Sequence, residues 1–519
     1  MITLRTAMIS LLFASMHLGA NSAPAQDKIP ARDRRDEVWT GPIIARLGTD
    51  RSNREGLVST LAFSANGKVL ASADNQGTLH LWEISSGKQL ANLPGHAGKI
   101  LRIALSADGH RVVSGGEDGT LRIWDLTMHD GLFDDGKETH RVTLGGLDHH
   151  VLAFSLRADG TVLAYTVRES LDVWEITSGR RLASRADIDR HQASSIVLNK
   201  GGKTISLGTS DGSVHNLDAL TLKESRPVQR GKDLPGAMAL TSDGKTAAGI
   251  PFDGDEVCIW KTANGAIRTR RECGPASLGD EWVVFSPQGR SLAVAGSEGI
   301  ILFEIATGNV LKRRLPGRAP IAFSADGQLL ACGDEKLTAI VYRLRPAAPL
   351  MATAEELWQQ LAGTDADLAF ESAMALIEDA KLAKRLIAEK LKPAAAVPPE
   401  RLARLIADLD DDRFAVRDQA VRELTALRQI AAAALGKALK ANPSLETRQR
   451  IEDILKCLHG PISHPETLRM IRAVEVLESI ADADARWLLQ RLAGGAAEAE
   501  LTGEARAALE RLGKTRNGK

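Results

Sequence analysis

One short pattern recurs seven times along the first two thirds of the chain and restricts its fold more than any other feature. It consists of an apolar run, a polar turn closed by glycine, and a second apolar run. The stretches cover residues 61–73, 103–116, 153–165, 196–208, 238–250, 283–296 and 321–333, from LAFSANGKVLASA to IAFSADGQLLACG. Their turn glycines, Gly67, Gly109, Gly160, Gly202, Gly244, Gly289 and Gly327, follow one another at 38 to 51 residues. Asn-Gly and Asp-Gly favour tight hairpins because glycine takes positive φ without a Cβ clash. A unit of about forty residues with four short strands cannot cover its own faces, whereas stacking in a ring covers both and leaves only short edges. The repeat therefore predicts a seven-bladed β-propeller over residues 38–346.

Ring closure follows from counting strands. After Tyr342-Arg343-Leu344 the chain meets Arg345-Pro346 and leaves, so the seventh unit lacks a fourth strand. Residues 43–47, IIARL, precede the first unit and have no other home; they are expected to complete the last blade. The longest glycine interval fits an enlarged hairpin over residues 128–138 in the second blade.

From Ala352 the apolar period changes to 3.6 residues, and the composition becomes rich in Ala, Leu, Glu and Arg. Thr353-Ala354-Glu355-Glu356 is a capping box. Further helices are predicted over 365–378, 381–391, 400–408, 414–427, 430–440, 445–458, 465–480, 482–492 and 503–512. The expected organisation is thus multidomain, all-β plus all-α. A linker (347–351) joins the propeller to a helical domain (352–514), with a short tail at 515–519.

The third strands carry a recurring aromatic: Trp82-Glu83, Trp124-Asp125, Trp174-Glu175, Trp260-Lys261, Phe303-Glu304 and Tyr342-Arg343, with Asn216-Leu217 where the aromatic is lost. The second unit adds Gly95-His96, Ser114 and Asp118. In these residues the chain resembles the WD40 family. The resemblance implies a buried hydrogen-bonded chain of His96, Ser114, Asp118 and Trp124 fixing that blade. The first unit has Gln76 where the aspartate would stand, and the fourth offers His191 and Asp211 without the tryptophan. Residues 409–420, LDDDRFAVRDQA, echoed at 472–477, look like a HEAT-type repeat. The segments 405–420, 468–478 and 501–512 resemble the helical module that follows the propeller in many bacterial WD40-repeat proteins. Short helices in series also fit an irregular bundle.

At the N-terminus Arg5 precedes an apolar run over residues 7–19 and then Ala23-Pro24-Ala25. This order predicts a secretory signal peptide at 1–25, followed by a linker at 26–37. The run is short of the ~20 residues a membrane span needs, an uncleaved anchor being the competing reading. The expected product is exported and soluble, periplasmic or extracellular, with no membrane insertion after cleavage.

Composition removes several classes of function. Basic and acidic side chains number 66 each, so there is no general electrostatic hold on nucleic acid or anionic lipid. Four cysteines, Cys258, Cys273, Cys332 and Cys457, are too few and scattered for a disulfide framework and contain no CxxC pair.

Motifs with catalytic associations resolve into turns. Gly208-Thr209-Ser210-Asp211-Gly212 matches GxSxG, but a nucleophile elbow needs a helix after it, and here a strand follows. Gly202-Lys203-Thr204 and Gly244-Lys245-Thr246 lack the upstream glycine of a phosphate loop. The cluster His129-Asp130, Asp134-Asp135, His140 and Asp148-His149-His150 matches no ligand spacing and reads as a solvated acidic hairpin. Asp408 and Asp410 to Asp412 suit a helix start, where carboxylates favour the positive end of the dipole.

The reading that follows is a non-catalytic protein–protein interaction scaffold with no cofactor and no metal. Gln76, Glu117, Asp255 and Glu298 are its candidate partner-binding rim. The alternative is an exported propeller enzyme of quinoprotein dehydrogenase or lyase type. Such an enzyme gathers charged residues around the central channel, whereas the inner strands here read AFS, ALS, VLN and ALT.

Overall fold

A computed structural model describes residues 43–48 and 57–513, less short segments of which the longest are 144–150, 187–192, 226–238, 274–282 and 345–351. The predicted signal peptide, both linkers, the tail, His191, Asp211 and Glu298 lie outside the described residues.

Seven antiparallel sheets form seven blades. Blade 1 runs Val58–Phe63, Val69–Asp74, Thr78–Glu83 and Gln89–Pro94 from inside outward. Blade 2 is Ile100–Leu105, Arg111–Gly116, Thr120–Asp125 and Lys137–Thr143. The expected extra hairpin, Met128–His129 with Leu132–Phe133, precedes its last strand. Blade 3 comprises Val151–Leu156, Val162–Val167, Ser170–Glu175 and Arg180–Arg185. Blade 4 has Ala193–Leu198, Thr204–Thr209 and Val214–Asp218. Blade 5 has Ala239–Leu240, Thr246–Gly249, Glu256–Lys261 and Ile267–Glu272. Blade 6 has Val283–Phe285, Ser291–Gly296, Gly299–Glu304 and Val310–Leu315. Blade 7 has Arg318–Phe323, Leu329–Gly333 and Ala339–Arg343, and Ile43–Leu47 pairs with the last of these, Leu47 opposite Ala339. Each innermost strand touches the next, and that of blade 7 returns to that of blade 1, so the ring is closed.

A separate apolar cluster fills each of the seven gaps between blades. In Val69–Asp74, Val69, Ala71 and Ala73 face blade 2 while Leu70 faces blade 7. Alternate side chains point to opposite faces, and both faces are covered, which is why the strands read as continuous apolar runs.

Blade 4 departs from four regular strands. After Val214–Asp218 the chain turns at Leu222, whose φ is +54°, and among the described residues only the bridge Leu217 to Glu224 holds the fourth-strand position. Asp218 closes this turn, accepting from the amides of Leu220 and Thr221.

The helices are α1 (Ala354–Gln360), α2 (Ala366–Glu378), α3 (Ala380–Lys390), α4 (Pro399–Ala407), α5 (Phe414–Leu427), α6 (Gln429–Lys440), α7 (Leu445–His459), α8 (Pro465–Ile480), α9 (Ala483–Ala493) and α10 (Glu500–Gly513). Thr353 and Glu356 form the predicted capping box at α1. The helices do not stack as one sequential series. α1–α3 share a core with α8–α10, centred on Leu361, Leu376, Ile387, Leu477 and Leu489. Between them α4–α7 build a second core on Leu409, Leu424, Leu435 and Ile451. No described helix is long and apolar enough to cross a membrane.

The first helical core docks on blades 6 and 7. Ala366 and Phe370 of α2 join the apolar cluster between those blades, and the Ile462 amide donates to the Ala306 carbonyl at 2.9 Å.

Candidate functional site

The segment Gly95–Lys99 joins the outer strand of blade 1 to the inner strand of blade 2, and the polar groups that fix the rim converge on it. The Gly95 and His96 amides donate to the Gly77 carbonyl, and the Glu117 amide donates to that of Lys99. Gly77 has φ +89°, and a Cβ there would lie 2.1 Å from the His96 carbonyl oxygen, so this crossing requires glycine. The turn bearing Gln76 and the turn bearing Glu117 are thereby tied to the same five residues.

Beneath them lies a buried chain. His96 Nδ1 is 3.0 Å from Asp118 Oδ1, His96 Nε2 is 2.8 Å from Ser114 Oγ, and Trp124 Nε1 donates to Ser114 Oγ at 3.1 Å. Because Ser114 Oγ accepts from the indole, its hydroxyl proton is free to go to His96 Nε2. That arrangement leaves the Nδ1 proton for Asp118. Burial raises the Asp118 carboxyl, but donors from His96, Thr120 and the Ala97 amide outweigh it and hold the group down at about 2. The structure thus brings together all four residues of the family-type chain. Each polar group is satisfied from within the blade, and the chemistry this performs is bracing.

The rim candidates are separate side chains. Gln76, Glu117 and Asp255 are exposed, each in the turn between the second and third strands of its blade. Asp255 is anchored through its carbonyl, which accepts from the Cys273 amide at 2.7 Å.

Other blades use different chemistry at the same positions. In blade 1 the carboxylate comes from Asp74, not from position 76. It accepts from the amides of Gln76 and Thr78 and lies 3.3 Å from His80 Nε2, while Trp82 Nε1 donates to Ser72 Oγ at 2.8 Å. In blade 7 the Tyr342 hydroxyl donates to the Pro316 carbonyl at 2.6 Å. In blade 3 Tyr165 takes the serine position and donates to Asp172 at 3.2 Å. In blade 4 the register pairs Leu217 with Ile205, as Trp124 pairs with Val112. Leu217, not Asn216, therefore stands at the aromatic position. Asn216 instead accepts from Ser206 Oγ at 2.7 Å. These substitutes carried no recognisable spacing; only register reveals them.

The His/Asp cluster of residues 129–150 has its side chains outside the described residues, and among the described residues no group of three metal-ligating side chains assembles. Cys258, Cys273 and Cys332 are buried and in the thiol form, that of Cys273 donating to the Asp255 carbonyl at 3.0 Å. Burial pushes Cys273 up to about 11 and Cys332 up to about 12, which suits them to core packing.

Two family descriptions and a solved structure show likeness to parts of this chain. The family described as "WD domain, G-beta repeat" matches residues 87–125, the outer strand of blade 1 and the first three strands of blade 2. The family "Anaphase-promoting complex subunit 4 WD40 domain" matches residues 15–105. No curated protein matches the chain. Among solved structures, the Cps50 (Swd1) β-propeller domain of Myceliophteria thermophila is similar at 17% identity, covering 57% of this chain and 98% of that one, with a TM-score of 0.46. Among the described residues the chain is a seven-bladed propeller, similar over residues 87–125 to the WD-repeat family, followed by ten α-helices.

Proposed function

We propose that this chain is an exported, non-catalytic interaction scaffold, periplasmic or extracellular, that binds protein partners through its propeller rim and its helical domain. The observation that carries the reading is the tie between the Gln76 and Glu117 turns through Gly95–Lys99. Two exposed side chains from different blades stand on backbone braced by a buried network, so a partner meets a preformed surface and little ordering entropy is lost on binding. Asp255 extends the same rim to blade 5, and Glu298, outside the described residues, is the candidate that the sequence offers beside it. The helices α4–α7, with their own core and the sequence LDDDRFAVRDQA at the start of α5, are a HEAT-like second surface.

The test uses the full chain as bait in envelope extract, beside a Gln76→Glu/Glu117→Arg double variant. The wild type is expected to recover a partner that the variant loses at unchanged thermal stability. Equal recovery by both overturns the rim assignment, and turnover of a small substrate by the purified chain overturns the scaffold. The mass of protein recovered from the envelope tests export; residues 1–25 should be absent.

A further inference from the structure

The joint between blade 6 and α8 holds an unusual density of buried charge. Arg472, Glu475 and Glu478 lie on one face of α8, three residues apart. Arg472 binds Glu304 of blade 6 through two nitrogens, at 2.7 and 2.8 Å. Glu478 lies 3.4 Å from Arg290 of blade 6 and accepts from Arg511 of α10. Glu504 of α10, partly exposed, is 3.5 Å from Arg290.

Glu475 sits in the middle of this set, yet none of the ion pairs among the described residues includes it. It lines two small cavities, of about 40 and about 20 Å³, between the propeller and α2. Each has room for at least one water. α2 presents Phe370, Met374 and Ile377 to the larger cavity, and blade 7 contributes the exposed Asp326. The side chains of Lys312, Arg313 and Arg314, on the outer strand of blade 6, lie outside the described residues.

Setting Glu475 aside, the cluster balances: Arg290, Arg472 and Arg511 against Glu304, Glu478 and Glu504. Ionised Glu475, itself half-buried, adds a further negative charge to this balanced set. We propose that this joint is a proton-operated latch, in which neutral Glu475 clamps the helical domain to blade 6 and ionised Glu475 loosens it. Burial, with Glu304 and Glu478 nearby, raises this carboxyl to about 7 against the pull of Arg290 and Arg472. An undocked helix would return it to the ordinary value of 4.5. The docked state therefore binds the proton more tightly. Docking is strongest below the ordinary value, weakens up to about tenfold per pH unit as pH rises through the interval, and levels off above about 7.

Hydrogen exchange of the Ile462 amide, which reports the contact with Ala306, tests this in the full chain once corrected for intrinsic rate. Between pH 5 and pH 8 the wild type is expected to lose protection by about 100-fold. Glu475→Gln should keep high protection at both pH values, and Glu504→Gln should retain the wild-type slope. Protection that is constant or rises with pH in the wild type overturns the latch, whether or not the variants fold. An identical slope in Glu475→Gln overturns it equally.

Discussion

Arg472 of α8 grips Glu304 of blade 6 with a two-pronged ion pair, Nε to Oε1 at 2.7 Å and Nη2 to Oε2 at 2.8 Å. Its third nitrogen donates to the carbonyls of Leu361 and Gly363, both at 2.7 Å. One side chain thus satisfies the C-terminal end of α1, spans the joint and neutralises a buried carboxylate. Its side chain is only 3% exposed and that of Glu304 15%. Arg472→Ala strands that carboxylate and should cost about 3–5 kcal/mol. Arg472→Lys keeps the charge but cannot span two oxygens and two carbonyls, so it should recover only part of the loss. Urea midpoints at unchanged slope measure both.

The blade 2 chain gives a prediction about acid. Asp118 titrates near 2 in the folded protein and at the ordinary 3.8 when unfolded. Its contribution is therefore complete above the ordinary value and disappears as pH falls towards 2. After allowance for solvent screening it amounts to about 1–2 kcal/mol. Asp118→Asn should be destabilised at neutral pH and show a flatter acid limb than the wild type in thermal scans between pH 2 and 5.

Ser114 stands at the centre of the same chain, taking the Trp124 N–H and facing His96. Ser114→Ala takes the shared hydroxyl from Trp124 Nε1 and His96 Nε2, at a cost of about 1–3 kcal/mol. Trp124→Phe removes the donor together with its need, and should cost less than the serine change. Calorimetric unfolding of the two variants separates these outcomes.

Much of this was legible in the sequence because the determinants are local. A glycine at each hairpin and an apolar run on either side of it report turns and two-faced burial, and seven such reports at near-even spacing leave a ring as the economical solution. The aromatic at the end of the third strand was legible for a related reason. Trp82, Trp124, Trp260, Phe303 and Tyr342 each fill the gap towards the preceding blade, so bulk is required there in almost every unit. Leu217 fills the same gap in blade 4, but a leucine among leucines carries no signal, and the polar Asn216 beside it drew the alignment off by one residue. Asp74 was missed because its role depends on where His80 arrives across the strand pair. The joint was missed for a different reason. A run such as Arg472-Ala473-Val474-Glu475 reads as a solvated helix face unless the surface that covers it is known, and here the cover comes from residues some 170 positions earlier. The pairing of α1–α3 with α8–α10 was hidden likewise, since amphipathic periodicity shows which face is buried but not against what.

Gly77 offers a sharp test of the rim. Its φ of +89° is unfavourable for any side chain, and a Cβ would strike backbone, the His96 carbonyl, which has no rotamer to relieve the clash. Gly77→Ala should cost about 1–3 kcal/mol and displace the Gln76 turn. Glu117→Arg, at an exposed position of the neighbouring turn, should stay within about 0.5 kcal/mol. A thermal shift for the first variant and none for the second is the expected pair of results.

The closing strand decides whether the ring behaves as one cooperative unit. Ile43–Leu47 lies nearly 300 residues from its partner Ala339–Arg343, so every contact it makes is long-range. Leu47 is 1% exposed and packs with Leu61, Leu70, Ala339 and Val341 in the gap between blades 7 and 1. Ile43, on the same strand, is 41% exposed. Leu47→Ala should cost about 2–5 kcal/mol through lost burial and the cavity left behind. Ile43→Ala should change stability by about 0.5 kcal/mol or less. If closure governs cooperativity, Leu47→Ala will lower the urea midpoint of the whole propeller in a single transition. A separate early transition confined to blades 7 and 1 would show that the ring tolerates an open seam.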